Sequence, residues 1–378
     1  MSLNKVILPG QTIGIIGGGQ LGRMMAIAAK SQGFRIAVLD PNPNSPCTQV
    51  ADYKVVGSYD DQKAMEELAR ISDVITFEFE NIDADALASV SKHAFVPQGT
   101  ALLEITKDRI AEKKAIQEAE IGVAPYEVVS TKQDIYDTIE KLGFPVVIKT
   151  SRGGYDGKGQ LVIKNAQDID RTDELLETGP CVLEKWISFS KEVSVIVSRN
   201  SNGEIAVFPV AENIHINNIL HQTIVPARIS ESAGILAKKI ALKLAKKVEL
   251  VGTLAVEMFV MEDNTIYINE LAPRPHNSGH FSIDACETSQ FEQHIRAICN
   301  WPLGSTEILK PAVMVNILGE HQSSLLDKIP TLSNWKIHLY GKAESKTSRK
   351  MGHVTLLRDS VEEALQEVAK SKIWDNEI

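Results

Sequence analysis

The sequence predicts a parallel α/β fold in its first third and a mixture of helices and antiparallel strands in the remainder. Three apolar segments in the first third, Thr12–Ile16, Arg35–Asp40 and Asp73–Phe79, alternate with helical stretches, as in a parallel sheet. Later, Thr253–Val260 and Ile266–Glu270 flank a short turn, which favours an antiparallel hairpin. A length of 378 residues allows two or three domains.

The composition excludes several classes of protein. A net charge of −9 argues against binding to nucleic acid or to anionic lipid. No apolar segment reaches the roughly 18 residues that a membrane span needs. The four cysteines are far apart and lack metal-ligand spacing, which favours buried thiols in a reducing compartment. We therefore expect a cytoplasmic enzyme or binding protein.

A glycine-rich turn connects the first strand to a helix predicted over Arg23–Gln32. Gly17, Gly19 and Gly22 have the spacing of a dinucleotide fingerprint, and Asp40 ends the next strand, where that fingerprint places an acidic residue. Glycines let the backbone approach an anion at the positive end of a helix. An NAD site and a tight turn without a ligand both remain open on this evidence.

The remaining elements follow from turn and capping signals. Thr131 and Asp134 form a potential capping box, and Gly143 ends the helix that they begin. A helix over Glu231–Val248 is predicted to place Leu236, Ile240 and Leu244 on one face. Further helices are predicted at 107–120 and 360–369, and further strands at 146–150, 160–164, 180–186, 193–198, 313–318 and 335–340.

A second glycine-rich segment, Ser151–Gly159, follows Lys149 at the end of an apolar strand. Four glycines and several cations in a short loop are typical of a flexible cover over a polyphosphate. The loop lacks the ending of a P-loop, and a solvated hairpin loop is the alternative. Lys149 favours the phosphate interpretation, because it directs a charge at whatever the loop covers.

Two glutamates are predicted to oppose each other in the later hairpin. With a two-residue turn at Asp263 and Asn264, Glu262 faces Thr265 and Glu257 faces Glu270. Like charges in such a pair are destabilising unless a cation lies between them, and Mg²⁺ bound to phosphates prefers such oxygen ligands. A shared proton or an exposed repulsive pair is the alternative.

The segment Asn269–His280 continues directly from this hairpin and concentrates polar groups. Two prolines fix the backbone around Arg274, whose guanidinium can hold a carboxylate or a phosphate in two hydrogen bonds. His276 and Asn277 follow within three residues. For His280 we favour a structural role.

Five motifs in this order make the chain similar to the N5-carboxyaminoimidazole ribonucleotide synthetases, a family of the ATP-grasp superfamily. They are Gly17–Met24 (GGGQLGRM), Thr76–Asn81 (TFEFEN), Gly153–Gln160 (GGYDGKGQ), Asn269–His280 (NELAPRPHNSGH) and Arg349–His353 (RKMGH). The resemblance implies a Rossmann-like substrate-binding domain at 1–105, small and large ATP-grasp lobes at 106–186 and 187–310, and a β-rich C-terminal segment at 311–378.

The resemblance also implies a reaction and its participants. The family uses ATP and bicarbonate to carboxylate 5-aminoimidazole ribonucleotide through carboxyphosphate, in purine biosynthesis. It implies Mg²⁺, which Mn²⁺ can replace, and it implies a homodimer and no use of NAD. Glu257 and Glu270 match the metal ligands of the family, in agreement with the hairpin count.

Further site residues follow from the same match. The family's ATP site corresponds to Arg109, Lys149, Gly154, Tyr155, Asp156, Gly157, Lys158, Gly159, Gln160, Glu184, Lys185, Trp186, Ile187, Glu192, His215, Asn269 and Glu270. The carboxylation site corresponds to Tyr155, Asp156, Arg274, His276 and Asn277. The ribonucleotide site corresponds to Gln20, Leu21, Glu78, Asn277, Lys342, Arg349 and Lys350. Arg274 suits the charge on bicarbonate, and Asp156 can accept a proton from the amine.

Two positions depart from the family pattern, and other functions remain as alternatives. Thr347 and Ser348 replace an expected Pro-Gly pair, and Phe281 replaces an expected tryptophan.

Another ATP-grasp ligase, such as formate-dependent glycinamide ribonucleotide transformylase or biotin carboxylase, would keep the fold. An NAD-dependent oxidoreductase would leave the second glycine loop and the opposed glutamates unexplained. A non-catalytic ATP sensor would leave the carboxylation residues without a role.

Overall fold

The computed structural model describes residues 5–154 and 157–375, and the strands of this part of the chain form three sheets. The first sheet is parallel, in the order β3-β2-β1-β4. Its region contains β1 (Thr12–Ile16), α1 (Gln20–Ser31), β2 (Arg35–Asp40), β3 (Tyr53–Val56), α2 (Gln62–Ile71), β4 (Val74–Phe77) and α3 (Ala84–Val90). The α/β prediction is confirmed. Strand β3 was not predicted, because its residues are mostly exposed and lack an apolar run, and helix α2 was not predicted either.

The second sheet is antiparallel, in the order β5-β8-β6-β7. Its region contains α4 (Ala101–Thr106), α5 (Arg109–Glu118), β5 (Tyr126–Val129), α6 (Lys132–Leu142), β6 (Val146–Thr150), β7 (Gln160–Ile163), α7 (Asp173–Leu176) and β8 (Cys181–Lys185). The predicted capping box of α6 is present, with Thr131 and Asp134 each accepting from the backbone of the other. Gly143 ends α6 at a φ of 71°, a conformation that favours glycine.

The third sheet is antiparallel and runs β14-β13-β9-β11-β12-β15-β17-β16, with β10 paired to β9. Its region contains β9 (Lys191–Arg199), β10 (Ile205–Val207), β11 (Ala211–Ile216), β12 (Ile219–Val225), α8 (Glu231–Lys247), β13 (Gly252–Val260), β14 (Ile266–Ala272), α9 (Ser282–Ala285), α10 (Gln290–Ile298), β15 (Ala312–Leu318), α11 (Gln322–Lys328), β16 (Lys336–Leu339), β17 (Lys350–Leu357) and α12 (Val361–Ser371). Because β12 pairs with β15, strands on both sides of the predicted boundary at 310 share one sheet. None of the described helices combines the length and the hydropathy needed to cross a membrane.

The buried face of α8 differs from the predicted one. Ile240 and Leu244 are buried as expected, but Leu236 is 40% exposed, so its placement on the core face was wrong. Small side chains, above all Ala237 and Ala241, fill the contact with the sheet instead. Alanines let the helix approach the strands closely, which a search for large apolar residues overlooks.

The hairpin of β13 and β14 brings the expected glutamates together through an unexpected register. Near the turn Val260 pairs with Ile266, and the predicted facing of Glu262 and Thr265 was wrong because the loop holds one residue more than expected. A bulge then shifts the register between Glu257 and Met258. The two shifts cancel, so Glu257 does oppose Glu270.

Helix α10 brings the parallel sheet and the large sheet together. Its apolar side chains Phe291, Ile295 and Ile298 pack in one cluster with Met25 and Ala29 of α1. The backbone N–H of Ile7 donates to the carbonyl of Cys299 at 3.1 Å, which closes the same contact. As a result, the carboxyl end of β4 lies beside the residues that follow β14.

Candidate functional site

A cavity of about 830 Å³ contains most of the predicted site residues. Its wall includes Gln20, Leu21, Glu78, Arg109, Lys149, Gly154, Gly157, Lys158, Gln160, Glu184, Lys185, Trp186, Ile187, Glu192, His215, Glu257, Asn269, Glu270, Arg274, His276, Asn277 and Lys350. Gly159, Lys342 and Arg349 do not line it. Tyr155 and Asp156 are outside the described residues.

The donors of the first glycine loop bind carboxylates of the protein itself. Glu78, just beyond β4, accepts from the backbone N–H groups of Gly19 and Gly22, the latter at 2.7 Å. Asp40 accepts from Gly18 at 2.7 Å and from the Tyr59 hydroxyl at 2.7 Å. The position at the start of α1 that would receive a pyrophosphate is therefore occupied by Glu78, which disfavours the dinucleotide interpretation. Burial raises the pKa of Glu78 despite these hydrogen bonds.

The opposed glutamates differ in their surroundings. Glu257 is buried, and its Oε1 lies 3.0 Å from Nε2 of His276. Burial alone would raise the pKa of Glu257, but His276 holds it at about 2. The side chain of Glu270 opens onto the cavity 3.5 Å from Arg109. Its pKa is raised, by burial and by the charge of Glu257.

These two carboxylates fit a magnesium ion that phosphates also bind. Within residues 5–154 and 157–375 no three His, Cys, Asp or Glu side chains form a complete metal site. Two carboxylates alone suit Mg²⁺, which takes its other oxygen ligands from phosphates and water. After burial, the charge of Glu257 is the next cause that raises the pKa of Glu270, and a cation between the two carboxylates would offset this repulsion.

Two lysines form a buried cluster with Glu184. Lys149 on β6 and Lys113 on α5 both contact the Glu184 carboxylate, Lys113 at 2.6 Å. Burial would raise the pKa of Glu184, but the two lysines lower it to about 2. Lys113 was not predicted as a site residue, although Arg109 and Lys113 are four residues apart on one helix and share a face.

Glu112 is a further acidic residue that the sequence analysis missed. It lines the cavity and accepts from the backbone N–H of Leu271 at 2.7 Å, one residue beyond Glu270. Burial, and then the charge of Glu270, raises the pKa of Glu112 to about 8. Its spacing of three residues from Arg109 is the signal that could have identified it.

Part of the cavity wall is aromatic. Trp186 is 43% exposed in the wall, beside Phe189, whose ring stacks on that of Phe259 with centroids 4.5 Å apart. Glu192 and His215 approach to 3.0 Å, and this contact raises the pKa of His215 against the effect of burial. No sequence signal connects Phe189 with Phe259, because they are far apart in the chain.

Arg274 is held by a residue of the parallel domain. Its Nε and Nη2 donate to the two oxygens of Glu80, at 2.6 and 3.1 Å. Arg274 lowers the pKa of Glu80 although burial would raise it. The paired hydrogen bonds expected of Arg274 are thus made to a carboxylate of the protein itself in this structure.

The hydrogen bonds of His276 assign its tautomer. The backbone N–H of Ser278 donates to Nδ1 of His276 at 3.3 Å, so Nδ1 carries no proton in the neutral ring. Nε2 then holds the proton and donates to Glu257. His276 therefore orients one of the two opposed glutamates, as a histidine beside a metal ligand does.

Three cations converge where β17 begins. Nζ of Lys342 donates to the carbonyl of Lys350 at 2.6 Å, and Nη1 of Arg349 donates to the carbonyl of Glu344 at 2.8 Å. Burial, and then the charges of Arg349 and Lys350, lowers the pKa of Lys342 to about 8. Ser348 has a φ of 63°, which explains why glycine is expected there and shows that serine accepts that conformation.

The other departure from the family pattern is accommodated by packing. Phe281 is completely buried in a cluster with Phe208, Ala255 and Ala285. Its neighbour His280 is 1% exposed and contacts Gln290 at 3.1 Å, as a structural histidine would. The cysteines Cys47, Cys181, Cys286 and Cys299 are buried free thiols, as predicted.

Comparison with known families and proteins agrees with this geometry. The ATP-grasp domain model matches residues 114–291, the ribonucleotide synthetase preATP-grasp domain model matches 10–107, and the phosphoribosylaminoimidazole carboxylase C-terminal domain model matches 312–367. The chain is 54% identical to the N5-carboxyaminoimidazole ribonucleotide synthase of Bacillus subtilis, over 98% of this chain and 97% of that protein.

Solved structures give the same result. An N5-carboxyaminoimidazole ribonucleotide synthetase in complex with ADP has a TM-score of 0.96 and 58% identity, with 99% of each chain covered. The Aspergillus clavatus synthase in complex with ADP and 5-aminoimidazole ribonucleotide has a TM-score of 0.91 and 30% identity, over 99% of this chain and 100% of that one.

The fold and the cavity between its lobes define an ATP-grasp protein. The parallel domain before that fold matches the preATP-grasp domain of ribonucleotide synthetases, and the region after it matches the C-terminal domain of phosphoribosylaminoimidazole carboxylase. The chain belongs to the N5-carboxyaminoimidazole ribonucleotide synthase family.

Proposed function

We propose that this protein uses ATP and bicarbonate to carboxylate 5-aminoimidazole ribonucleotide, and that ATP and the ribonucleotide enter the cavity from opposite ends. One observation carries the proposal: a single cavity is lined by the predicted phosphate-binding residues Arg109 and Lys149, by Arg274 and Asn277, and by Gln20 and Glu78 of the region of the parallel sheet. Family membership supports the substrate, since a relative binds ADP and 5-aminoimidazole ribonucleotide. The product is N5-carboxyaminoimidazole ribonucleotide, with release of ADP and phosphate.

The ATP end follows from the arrangement of aromatic and charged groups. We assign adenine to the wall formed by Glu184–Ile187, which includes Trp186, and by Phe189, whose ring stacks on Phe259. We assign the ribose to Glu192 and His215. Arg109, Lys149 and the loop of Gly154–Gln160 bind the phosphates. Glu257 and Glu270, with Asn269 alongside, would hold Mg²⁺, which would neutralise the phosphate charge during phosphoryl transfer to bicarbonate.

The acceptor end uses residues of three regions. Arg274, His276 and Asn277 form the carboxylation site together with Tyr155 and Asp156, which are outside the described residues. Gln20, Leu21 and Glu78 bind the ribonucleotide base and sugar. Lys342, Arg349 and Lys350 bind its 5′-phosphate, because a cluster of three cations with a lowered lysine pKa gains most from a dianion. We expect the reaction to take place in the cytoplasm. We also expect a homodimer, which light scattering would test.

The direct test measures ADP release from MgATP with bicarbonate, with and without 5-aminoimidazole ribonucleotide. We expect strong stimulation by the ribonucleotide that disappears without bicarbonate. Turnover with glycinamide ribonucleotide and formate, without such stimulation, would keep the fold and overturn the substrate. Tight NADH binding without ATP turnover would support the oxidoreductase, and MgATP binding without any turnover would support the sensor.

Removal of Arg349 tests the phosphate site. Arg349→Ala should raise KM for the ribonucleotide about tenfold, with kcat and KM for ATP nearly unchanged, because it removes a contact made equally in the ground and transition states. Lys336→Ala is the control, since Lys336 is an exposed cation that pairs with Thr355, near the end of β17 remote from Arg349. An unchanged KM in Arg349→Ala would contradict the assignment.

The pKa of Lys342 predicts a dependence of ribonucleotide use on pH. A lysine with a pKa of about 8 is charged below that pH and neutral above it. The value of kcat/KM for the ribonucleotide should therefore fall as pH rises above about 8. Lys342→Arg, which stays charged, should shift this fall to a higher pH; an identical profile would rule out Lys342 as its source.

A further inference from the structure

Two amide side chains connect the cavity wall to the core of the large sheet. Asn277 lines the cavity, whereas Asn316 on β15 is 1% exposed. Nδ2 of Asn277 donates to Oδ1 of Asn316 at 3.0 Å, and Nδ2 of Asn316 donates to Oδ1 of Asn277 at 2.7 Å. The two amides thus form a reciprocal pair, with one member in the core and one at the site.

A backbone carbonyl determines which way this pair is oriented. Nδ2 of Asn316 also donates to the carbonyl of Leu220 at 2.7 Å. A carbonyl can only accept, so one N–H of Asn316 must point to Leu220, and the other N–H and the oxygen of Asn316 then face Asn277. The indole N–H of Trp374 donates to the backbone carbonyl of Asn316 at 3.0 Å and fixes the strand at this position. The orientation of Asn277 is therefore imposed by Asn316.

This orientation leaves a hydrogen-bond donor on a side chain of the cavity wall. Asn277 has two N–H hydrogens, and the pair with Asn316 uses one of them. Among residues 5–154 and 157–375, no other hydrogen bond involves the Asn277 amide. The nearby cationic groups of Arg274 and Lys350 favour an anionic ligand. An anionic oxygen requires the donor edge of the amide.

We propose that Asn316 is a positioning residue that holds Asn277 with its second N–H toward the cavity, where it binds an anionic oxygen of the carboxyl group that is transferred. The role in transfer rests on the proposed carboxylation, whereas the fixed orientation of the amide does not. Asn316 touches neither substrate nor cofactor; it acts by preventing Asn277 from rotating to present its oxygen to the anion.

Two substitutions separate the orientation of the Asn277 amide from the volume of the side chain at position 316. Asn316→Asp keeps the shape of the side chain but cannot donate to both Leu220 and Asn277, since a carboxyl group has at most one O–H, and Asn316→Ala removes the pair entirely. Both should lower kcat/KM for bicarbonate about tenfold or more, with KM for ATP changed less than twofold. Asn200→Ala is the matched control, because Asn200 is also 1% exposed, also hydrogen-bonds to backbone and does not line the cavity.

A measurement without turnover tests the orientation itself. The side-chain amide signals of Asn277 can be assigned in ¹⁵N–¹H spectra by their loss in Asn277→Asp. In the wild-type protein, one of its two hydrogens should exchange slowly with solvent, and in Asn316→Ala both should exchange rapidly. Equal exchange of both hydrogens in the wild-type protein would overturn the positioning role.

The kinetic results complete the test. A lower kcat/KM for bicarbonate in Asn316→Asp but not in Asn200→Ala, at a comparable loss of thermal stability, supports the proposal. A kcat/KM for bicarbonate within twofold of wild type in Asn316→Asp would overturn the role of Asn316 in carboxyl transfer. Absence of carboxylation in the wild-type protein would refute the proposed function and the role in transfer, and the exchange measurement would still decide the orientation.

Discussion

Glu270→Gln should abolish ADP formation while leaving the protein folded. The substitution removes the charge of one of the two carboxylates that we assign to Mg²⁺, and the phosphates then lose the cation that neutralises them. A fall in kcat of about a thousandfold or more is expected, because several kcal/mol of charge stabilisation are lost in phosphoryl transfer. Steady-state ADP release at saturating MgATP and bicarbonate measures it.

Thermal stability separates this effect from damage to the fold. Burial and the charge of Glu257 raise the pKa of Glu270, so its charged form is disfavoured in the folded protein without metal. Glu270→Gln should therefore melt at the same temperature as wild type or higher in the absence of Mg²⁺. Glu262→Gln, an exposed change in the same hairpin, should alter neither activity nor stability. Unchanged turnover in Glu270→Gln would remove the metal assignment.

The hairpin of β13 and β14 shows which of its features the alternation of apolar residues can predict. The alternating apolar residues of β13, namely Leu254, Val256, Met258 and Val260, all pack in one core cluster, as the alternation of side chains along a strand predicts. The exact register was beyond the same reasoning, since the longer loop and the bulge near Glu257 leave no trace in the apolar pattern. The correct pairing of Glu257 with Glu270 was reached because the two errors cancelled.

The residues that the sequence analysis missed are those whose roles depend on distant partners. Lys113 and Glu112 are ordinary charged residues of a predicted helix until β8 and β14 are placed beside them. Asn316 lies in an apolar strand and acquires its role only through Leu220 and Asn277. Local motifs predicted the Gly, Arg, His and Glu residues of the cavity wall, whereas long-range hydrogen bonds required the structure.

Glu184→Gln should cause the largest loss of stability among these changes, about 3–5 kcal/mol, because it leaves two buried lysines facing each other without a counter-charge. Lys113 and Lys149 have side chains that are only 5% and 12% exposed, so neither can readily turn to water. Glu212→Gln is the matched comparison. Glu212 also has a pKa of about 2, but its partners Lys191 and Arg228 are 34% and 37% exposed.

Two comparisons test this prediction: the stability of Glu184→Gln against that of Glu212→Gln, and the stability of Glu184→Gln at neutral against acidic pH. Lys191 and Arg228 can regain water when residue 212 is neutral. Glu212→Gln should therefore lower the free energy of unfolding clearly less than Glu184→Gln, as measured by denaturant unfolding at pH 7.

The pKa of Glu184 is lowered from 4.5 to about 2, so the stabilising effect of its charge is complete above pH 4.5 and is lost as pH falls toward 2. The deficit of Glu184→Gln relative to wild type should therefore shrink below pH 4.5, by about 1 kcal/mol per pH unit. A deficit that stays constant down to pH 3 would show that lost packing, rather than the lost carboxylate charge, is responsible.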